Sequence, residues 1–374
     1  MPVTARAAKD GLAMPAKTHI FPGTAMHKVN LRDIPEIEQR SPSGKFHSFA
    51  RNVSLALGGV RNTGLWGGGH PFDVQIRSVP PGAAVCPFHL HLAQWELFVV
   101  RTGSGTLRVD DTQHHVRAGD CFIHPPGEAH QLINTDVRDL EVLIVADNPQ
   151  LDAFHYPDSN KWGLRPPGSF FVLAEADYFQ GEDAPDREPA PPAAPFTPTA
   201  APLPGALCPW PITPFLQRKT SLDALAWEPW QSPQGRYRAA GRQISAALGA
   251  KPRTPLTQGG HPFDLEQGRV PPGATVCPFH SHALQWELYL FTAGSGEFRL
   301  GEERFPIEPG DAVLARPGVP HTFRNTGPDD LDYFLVADDP AAEFWHYPDS
   351  QKFGFSSPRR IFRAVDADYF AGEE

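Results

Sequence analysis

The segment FHLHLAQWEL, Phe88 to Leu97, carries His89, His91 and Glu96, and His130 opens the run HQLIN after the turn residues Pro125-Pro126-Gly127. If the two histidines lie on a strand, they point to the same side about 7 Å apart along the backbone, near enough to converge on one ion. Glu96 can return a carboxylate to that ion from the next strand. Three neutral imidazoles and a carboxylate suit a divalent first-row metal (Fe, Mn, Zn, Ni, Co or Cu) and leave up to two positions for water or substrate. A lone histidine on a β face is usually a hydrogen-bonded core group. Here the set occurs twice, since His280, His282, Glu287 and His321 repeat it, and burying three imidazoles beside a carboxylate without an ion is costly. One divalent ion per set is therefore expected.

The second set lies 191 residues after the first, and so does much else: HPFD at His70 recurs at His261, VCPFH at Val85 recurs at Val276, HYPDS at His155 recurs at His346, and DYF at Asp177 recurs at Asp368. The register holds without insertion over residues 28–180 and 219–371, so one unit is written twice. Between the copies runs PAPPAAPFTPTAAPLPG, too rich in Pro and Ala to build a core. The expected organisation is an arm over 1–27, a domain over 28–181, a Pro-rich linker over 182–218 and a second domain over 219–374.

Elements that would hold the ligands follow from alternation. Phe72 to Val79, Trp95 to Arg101, Thr106 to Val109, Cys121 to His124, Gln131 to Ile133 and Leu140 to Ala146 read as short strands separated by Gly, Pro and Asp turns. Such spacing indicates an all-β double sheet or jelly roll. Helix is expected only as short turns near Gln150 to Phe154 and Pro340 to Phe344.

These motifs resemble the cupin superfamily. Its first motif is matched by His89, His91, Glu96 and Gly103, and again by His280, His282, Glu287 and Gly294. Its second is matched by Gly119, Pro125, Gly127, His130 and Asn134, and by Gly310, Gly318, His321 and Asn325, where Arg316 departs from the expected proline. The resemblance implies two tandem cupin jelly-roll β-barrels (double-stranded β-helices) joined by the linker, each with a metal bound by the residues just named. It also implies a metal-dependent enzyme, dioxygenase- or oxidoreductase-like, acting on a small oxygenated or enol-type substrate. YPDS followed by Lys161 and Lys352 resembles the ending of cupins labelled as sugar-phosphate isomerases, so an isomerase or epimerase using the metal as Lewis acid is an alternative. A non-enzymatic small-molecule or metal-binding module is another.

Where the copies differ, the pockets need not take the same molecule: Arg77 becomes Gly268, Leu90 becomes Ser281 and His124 becomes Ala315. If His124 points inward, it is a candidate catalytic acid or base in the first copy alone. His70, His261, His155 and His346 read as structural, and Arg108 and Arg299 as solvated strand positions. Cys86 and Cys277, three residues before a ligand histidine, read as small core residues. With Cys121 and Cys208 they show neither the pairing of a zinc knuckle nor the density of a disulfide scaffold.

A net charge of -10 with no basic run excludes nucleic acid as a partner class. No apolar run spans a membrane, and Met1 to Lys17 lacks the apolar centre of a secretory signal. A cytoplasmic protein is expected, acting on a small molecule, as a monomer with pseudo-two-fold pairing of its domains or as a homodimer.

Overall fold

Along Phe72–Val79, Phe72, Val74 and Ile76 face one way and Asp73, Gln75, Arg77 and Val79 the other, and nearly all are buried. Both faces of this strand are therefore covered, one by a partner sheet and one by the inside of a barrel. A computed structural model describes residues 27–173, 178, 212–356 and 359–365 of the chain. Cys208 and most of both DYF repeats lie outside the described residues.

The described residues are all-β apart from short helical turns such as Val53–Ala56 and Ile244–Ala247. Each half opposes one large antiparallel sheet to two smaller ones. In the first half the large sheet runs Asp120–His124, Glu96–Thr102, Leu140–Asp147, Phe72–Val79, His47–Asn52, Ile37–Arg40. Against it lie the three strands His130–Ile133, Ser104–Val109 and Thr112–Arg117. Beside these lie the four strands Ser169–Phe171, Lys161–Arg165, Asp152–Tyr156 and Leu90–His91. The second half repeats this arrangement. Phe98, Val100, Leu107, Val116, Leu132 and Val142 fill the first barrel. Tyr289, Phe291, Phe298, Phe323 and Tyr333 fill the second with larger rings.

The large sheets pack face to face through Phe72, Val74, Ile76, Leu97, Val99 and Leu143 of one half and Phe263, Leu265, Leu288, Leu290, Leu314 and Val336 of the other. At about 2 kcal/mol per buried side chain, this shared core makes the halves one body. Each also lends the other a strand. Lys28–Asn30 pairs with Asp311–Ala315 of the second half, and Lys219–Ser221 pairs with Asp120–His124 of the first. The exchange is fastened by Lys28 to Asp311 at 2.8 Å and Lys219 to Asp120 at 2.7 Å. His70 packs on Trp286 and His261 on Trp95, ring centres 5.3 and 5.2 Å apart, so each half touches the residue before the other's candidate glutamate ligand. Among the described residues no helix is long and apolar enough to cross a membrane.

Two sequence expectations need correction. The segments near Gln150 to Phe154 and Pro340 to Phe344 carry strands, Asp152–Tyr156 and Phe344–Tyr347, and no helical turn. The reason is tertiary: each is drawn into pairing with the two-residue histidine strand, Leu90–His91 or Ser281–His282. Gly103 opens the strand hairpin with φ +78°, and a Cβ there would lie 2.6 Å from the Asp139 carbonyl oxygen, which accounts for glycine at this point of both copies.

Candidate metal centres

His89 and His130 face each other across a two-way backbone bridge, His89 N to His130 O at 3.2 Å and His130 N to His89 O at 2.8 Å. His91 comes from the adjoining strand, and Glu96 from the first position of Glu96–Thr102. His89, Glu96 and His130 bring their ligand atoms within 4.8 Å of one another, and His91 approaches this group through Glu96. Glu96 Oε2 lies 2.9 Å from His130 Nε2 and 3.8 Å from both His89 Nε2 and His91 Nε2.

The other ring nitrogens settle how the imidazoles are presented. His89 Nδ1 is 3.0 Å from the Pro87 carbonyl, His130 Nδ1 is 3.2 Å from the Glu128 carbonyl, and His91 Nδ1 is 2.6 Å from Asp152 Oδ2. Carbonyl and carboxylate oxygens only accept, so each Nδ1 carries a proton and each Nε2 is aimed at the common point, where its lone pair can go to an ion, in His130 in place of the proton it donates to Glu96. Burial alone would raise the Glu96 carboxyl, but the hydrogen bond from His130 and the nearby imidazoles hold it well below the ordinary carboxylate range. An ionised carboxylate and three Nε2 lone pairs around one point are the donor set of a divalent first-row ion.

In the second half His280 Nδ1 donates to Pro278 O at 2.9 Å and His321 Nδ1 to Val319 O at 3.1 Å. Glu287 Oε2 lies 2.6 Å from His321 Nε2, and Glu287 Oε1 lies 3.6 Å from His282 Nε2. Two features differ from the first site. Glu343, the counterpart of Asp152, spends its oxygens on the amides of Ala283, Leu284 and Gln285 and stands 3.6 Å from His282 Nδ1. The Tyr289 hydroxyl donates to Glu287 Oε2 at 2.7 Å, where the first half has Phe98. Burial and repulsion from His321 and His282 push His280 down to about 3, so it too is a neutral donor.

The first site opens into a cavity of about 140 Å³ lined by Arg61, Arg77, Arg165, Gln75, Tyr156 and Cys86, with Phe98, Leu132 and Ile144 as its apolar wall. Arg77 is held by Gln75 at 3.1 Å and Ser48 at 3.3 Å, and Arg165 by Asn62 at 3.3 Å. Among the described residues none of the three arginines is in a salt bridge. Burial and repulsion from Arg77 bring Arg61 down to about 10, still cationic at neutral pH. Sequence reasoning missed Arg61, which sits in a loop, and Arg165, the last residue of the strand Lys161–Arg165, because neither segment carries a periodicity that marks it. It also missed Asp152, although an acid at the matching Glu343 was a usable signal.

A model of the cupin domain matches residues 75–146 and again 266–337. The chain is a bicupin. Among curated proteins the bicupin is similar to auxin-binding protein 1 of Arabidopsis thaliana, 28% identical over 138 residues, 34% of this chain and 63% of that protein. It is also similar to an oxalate-binding protein of Thermotoga maritima, 34% identical over 68 residues, 18% of this chain and 55% of that protein. The bicupin thus spans less than two thirds of the length of either relative. A solved oxalate decarboxylase of Lactobacillus farciminis, in a formate complex, matches with a TM-score of 0.50 and 14% identity over 86% of this chain and 88% of that one. A deletion mutant of Bacillus subtilis oxalate decarboxylase matches with a TM-score of 0.50 and 16% identity over 86% and 79%. These structures share the two-domain fold.

The remaining residues singled out in the sequence fall into place. Arg108 stacks 3.5 Å over Phe88 and pairs with Asp158 of YPDS at 2.8 Å, and Arg299 does the same with Phe279 and Asp349. His155 stacks on Trp162 and His346 on Phe353. Cys86 Sγ lies 3.5 Å from His89 Nδ1 and borders the cavity, and Cys277 Sγ lies 3.6 Å from His280 Nδ1. His124 is 1% exposed, stacks on His130 and is not part of the cavity wall.

Proposed function

We propose that this bicupin is a metal-dependent enzyme whose first half takes a small oxyanionic substrate. His89, His91, Glu96 and His130 would hold one divalent ion there, and His280, His282, Glu287 and His321 would hold a second in a supporting role. The observation that carries this reading is the set of guanidinium groups of Arg61, Arg77 and Arg165, which form no salt bridge among the described residues and outnumber Asp73, the acid beside them, in a small cavity next to the candidate ligands. One buried and two half-buried guanidinium groups without a salt-bridge partner among the described residues favour an anionic guest. A first-row ion bound at the donors supplies Lewis acidity and, if redox active, electron transfer for dioxygenase- or oxidoreductase-like chemistry.

The chain's own residues then do the positioning. Arg77, pinned by Gln75 and Ser48, presents a fixed fork that fits a carboxylate. Arg61 and Arg165 draw the anion in, and the apolar wall limits water at the reacting end. Glu96 and Asp152 keep the imidazoles oriented. The similarity to a protein named for binding oxalate agrees with a small, doubly anionic guest.

One further reading has specific support: the same arginines would anchor a phosphate, as a sugar-phosphate isomerase requires. A single experiment separates the readings. The chain, stripped of metal and reloaded with Fe(II), Mn(II), Co(II) or Zn(II) in turn, is supplied with small dicarboxylates, enols and sugar phosphates, and O₂ uptake, CO₂ release and isomerised product are followed. Metal-dependent turnover of a carboxylate or enol, removed by chelator and restored by metal, is expected. Isomerisation would move the assignment to the second reading, and saturable binding with no turnover under any metal would make the chain a binding module.

A further inference from the structure

Next to His130, and outside the cavity, lies a buried charged group with no counterpart among the described residues of the other half. The His124 ring is flat against His130, centres 4.0 Å apart and planes within 3°, and Phe215 lies parallel to it at 5.8 Å. His124 Nδ1 is 2.6 Å from Glu128 Oε1. Glu128, only 3% exposed, receives the Arg218 guanidinium on both carboxylate oxygens, while its main-chain oxygen accepts from His130 Nδ1. Arg218 also donates to the carbonyls of Ile123 at 2.6 Å and Thr213 at 2.9 Å.

The origin of these residues matters. Glu128, His124 and His130 belong to the first copy, whereas Phe215 and Arg218 belong to the segment that leads into the second copy and ends in the lent strand Lys219–Ser221. At the matching places the second half has Val319, Ala315 and His27, with no acid and no arginine. One repeat thus supplies an internal control for the other.

We propose that Arg218 is a positioning residue for the first metal site: it holds the Glu128 carboxylate, and through Glu128 and His124 it fixes the orientation of the His130 imidazole. The inference rests on the reading of His130 as a metal ligand. Without Arg218, a carboxylate buried to this degree loses its only guanidinium partner among the described residues and must turn toward water, which releases His124 and disturbs the turn whose carbonyl orients His130. Metal retention in the first half, and not in the second, then depends on an arginine delivered by the incoming arm.

The test uses the full chain with its second site removed by His280→Ala/His282→Ala, titrated with Co(II) against a competing chelator while the visible absorption of the ion is followed. Arg218→Met is expected to lower Co(II) affinity by about tenfold or more and to alter the spectrum. Adding Glu128→Gln to Arg218→Met removes both charges and leaves an amide oxygen for His124 Nδ1, so affinity and spectrum should largely return. Lys219→Met, on the same arm, loses only the Asp120 pair and should bind as the parent does. Unchanged affinity in Arg218→Met, an equal loss in Lys219→Met, or no recovery in the double variant each overturns the proposal. If Arg218→Met does not fold, Arg218→Lys, which keeps the charge and loses the two-pronged grip, takes its place: weakened binding is expected and parent-like binding contradicts the proposal. A parent that binds no Co(II) at all strikes earlier, at the ligand set itself, and takes this inference with it.

Discussion

In the first half the strand Phe72–Val79 turns Gln75 and Arg77 toward the barrel interior, and in the second the matching strand Phe263–Val270 offers Glu266 and Gly268. A Cβ at Gly268 would lie 2.0 Å from the Tyr333 ring, whose counterpart in the first half is Val142. Arg61 and Arg165 likewise become Pro252 and Ser356. The four candidate ligands persist while the wall around them changes from cationic and open to acidic and filled with tyrosine. The Tyr289 and Tyr333 phenols, both raised well above the ordinary range by burial and the nearby Glu287 and other acids, stay neutral donors. Duplication has kept the four residue types and changed their surroundings: on the function proposed above the first half admits an anion, while the second surrounds its own glutamate.

The largest expected effect breaks that division at its root. Glu96→Ala and Glu287→Ala should each lower bound metal from about two ions per chain to about one, read by elemental analysis. Only Glu96→Ala should also abolish anion-dependent activity, by more than the roughly hundredfold typical of losing an outer-shell partner. Equal losses from both would make the halves equivalent.

A second prediction concerns what the halves share. His70 and His261 are buried at the interface between them, and burial, with Arg316 or Arg218 nearby, lowers each from 6.5 to about 4. Folded, both rings stay neutral; unfolded, they take protons near pH 6.5. Stability is therefore complete above that pH and lost as pH falls toward about 4, by about 3 kcal/mol per histidine. Denaturant unfolding across this window should show the slope, and His70→Leu/His261→Leu should flatten it.

Arg77→Gly copies the second half into the first and should weaken carboxylate binding by about 2 kcal/mol, roughly thirtyfold, in calorimetry. The smallest contrast lies behind the ligands. Asp152→Asn should weaken metal binding in the first half by about tenfold, because the carboxylate sits 2.6 Å from His91. Glu343→Gln, replacing a group 3.6 Å from His282, should cost the second half less. Chelator competition on each variant would show the order, and a reversed order would contradict the orienting role.

Much of this was legible in the residues. Alternation located Phe72–Val79 to the residue, and the offset of 191 announced the two barrels. The strand Thr112–Arg117 escaped because its exposed polar residues carry no apolar period. The lent strands escaped for a different reason: Lys28–Asn30 and Lys219–Ser221 are three residues each, and only the edge of the other half makes them strands. Arg218 sits at the end of a stretch whose composition reads as linker, so its buried contact with Glu128 follows from tertiary structure alone. His124 could be noticed in the sequence as a difference between copies, but its direction could not, since it is the last residue of its strand, next to a turn.

The account is tested most directly by loading Co(II) into the Glu287→Ala and Glu96→Ala chains and recording absorption while a small dicarboxylate such as oxalate is added. A saturable spectral change in Glu287→Ala, where only the arginine-lined site remains, and none in Glu96→Ala is the predicted result. A change confined to Glu96→Ala, or equal in both chains, would contradict it.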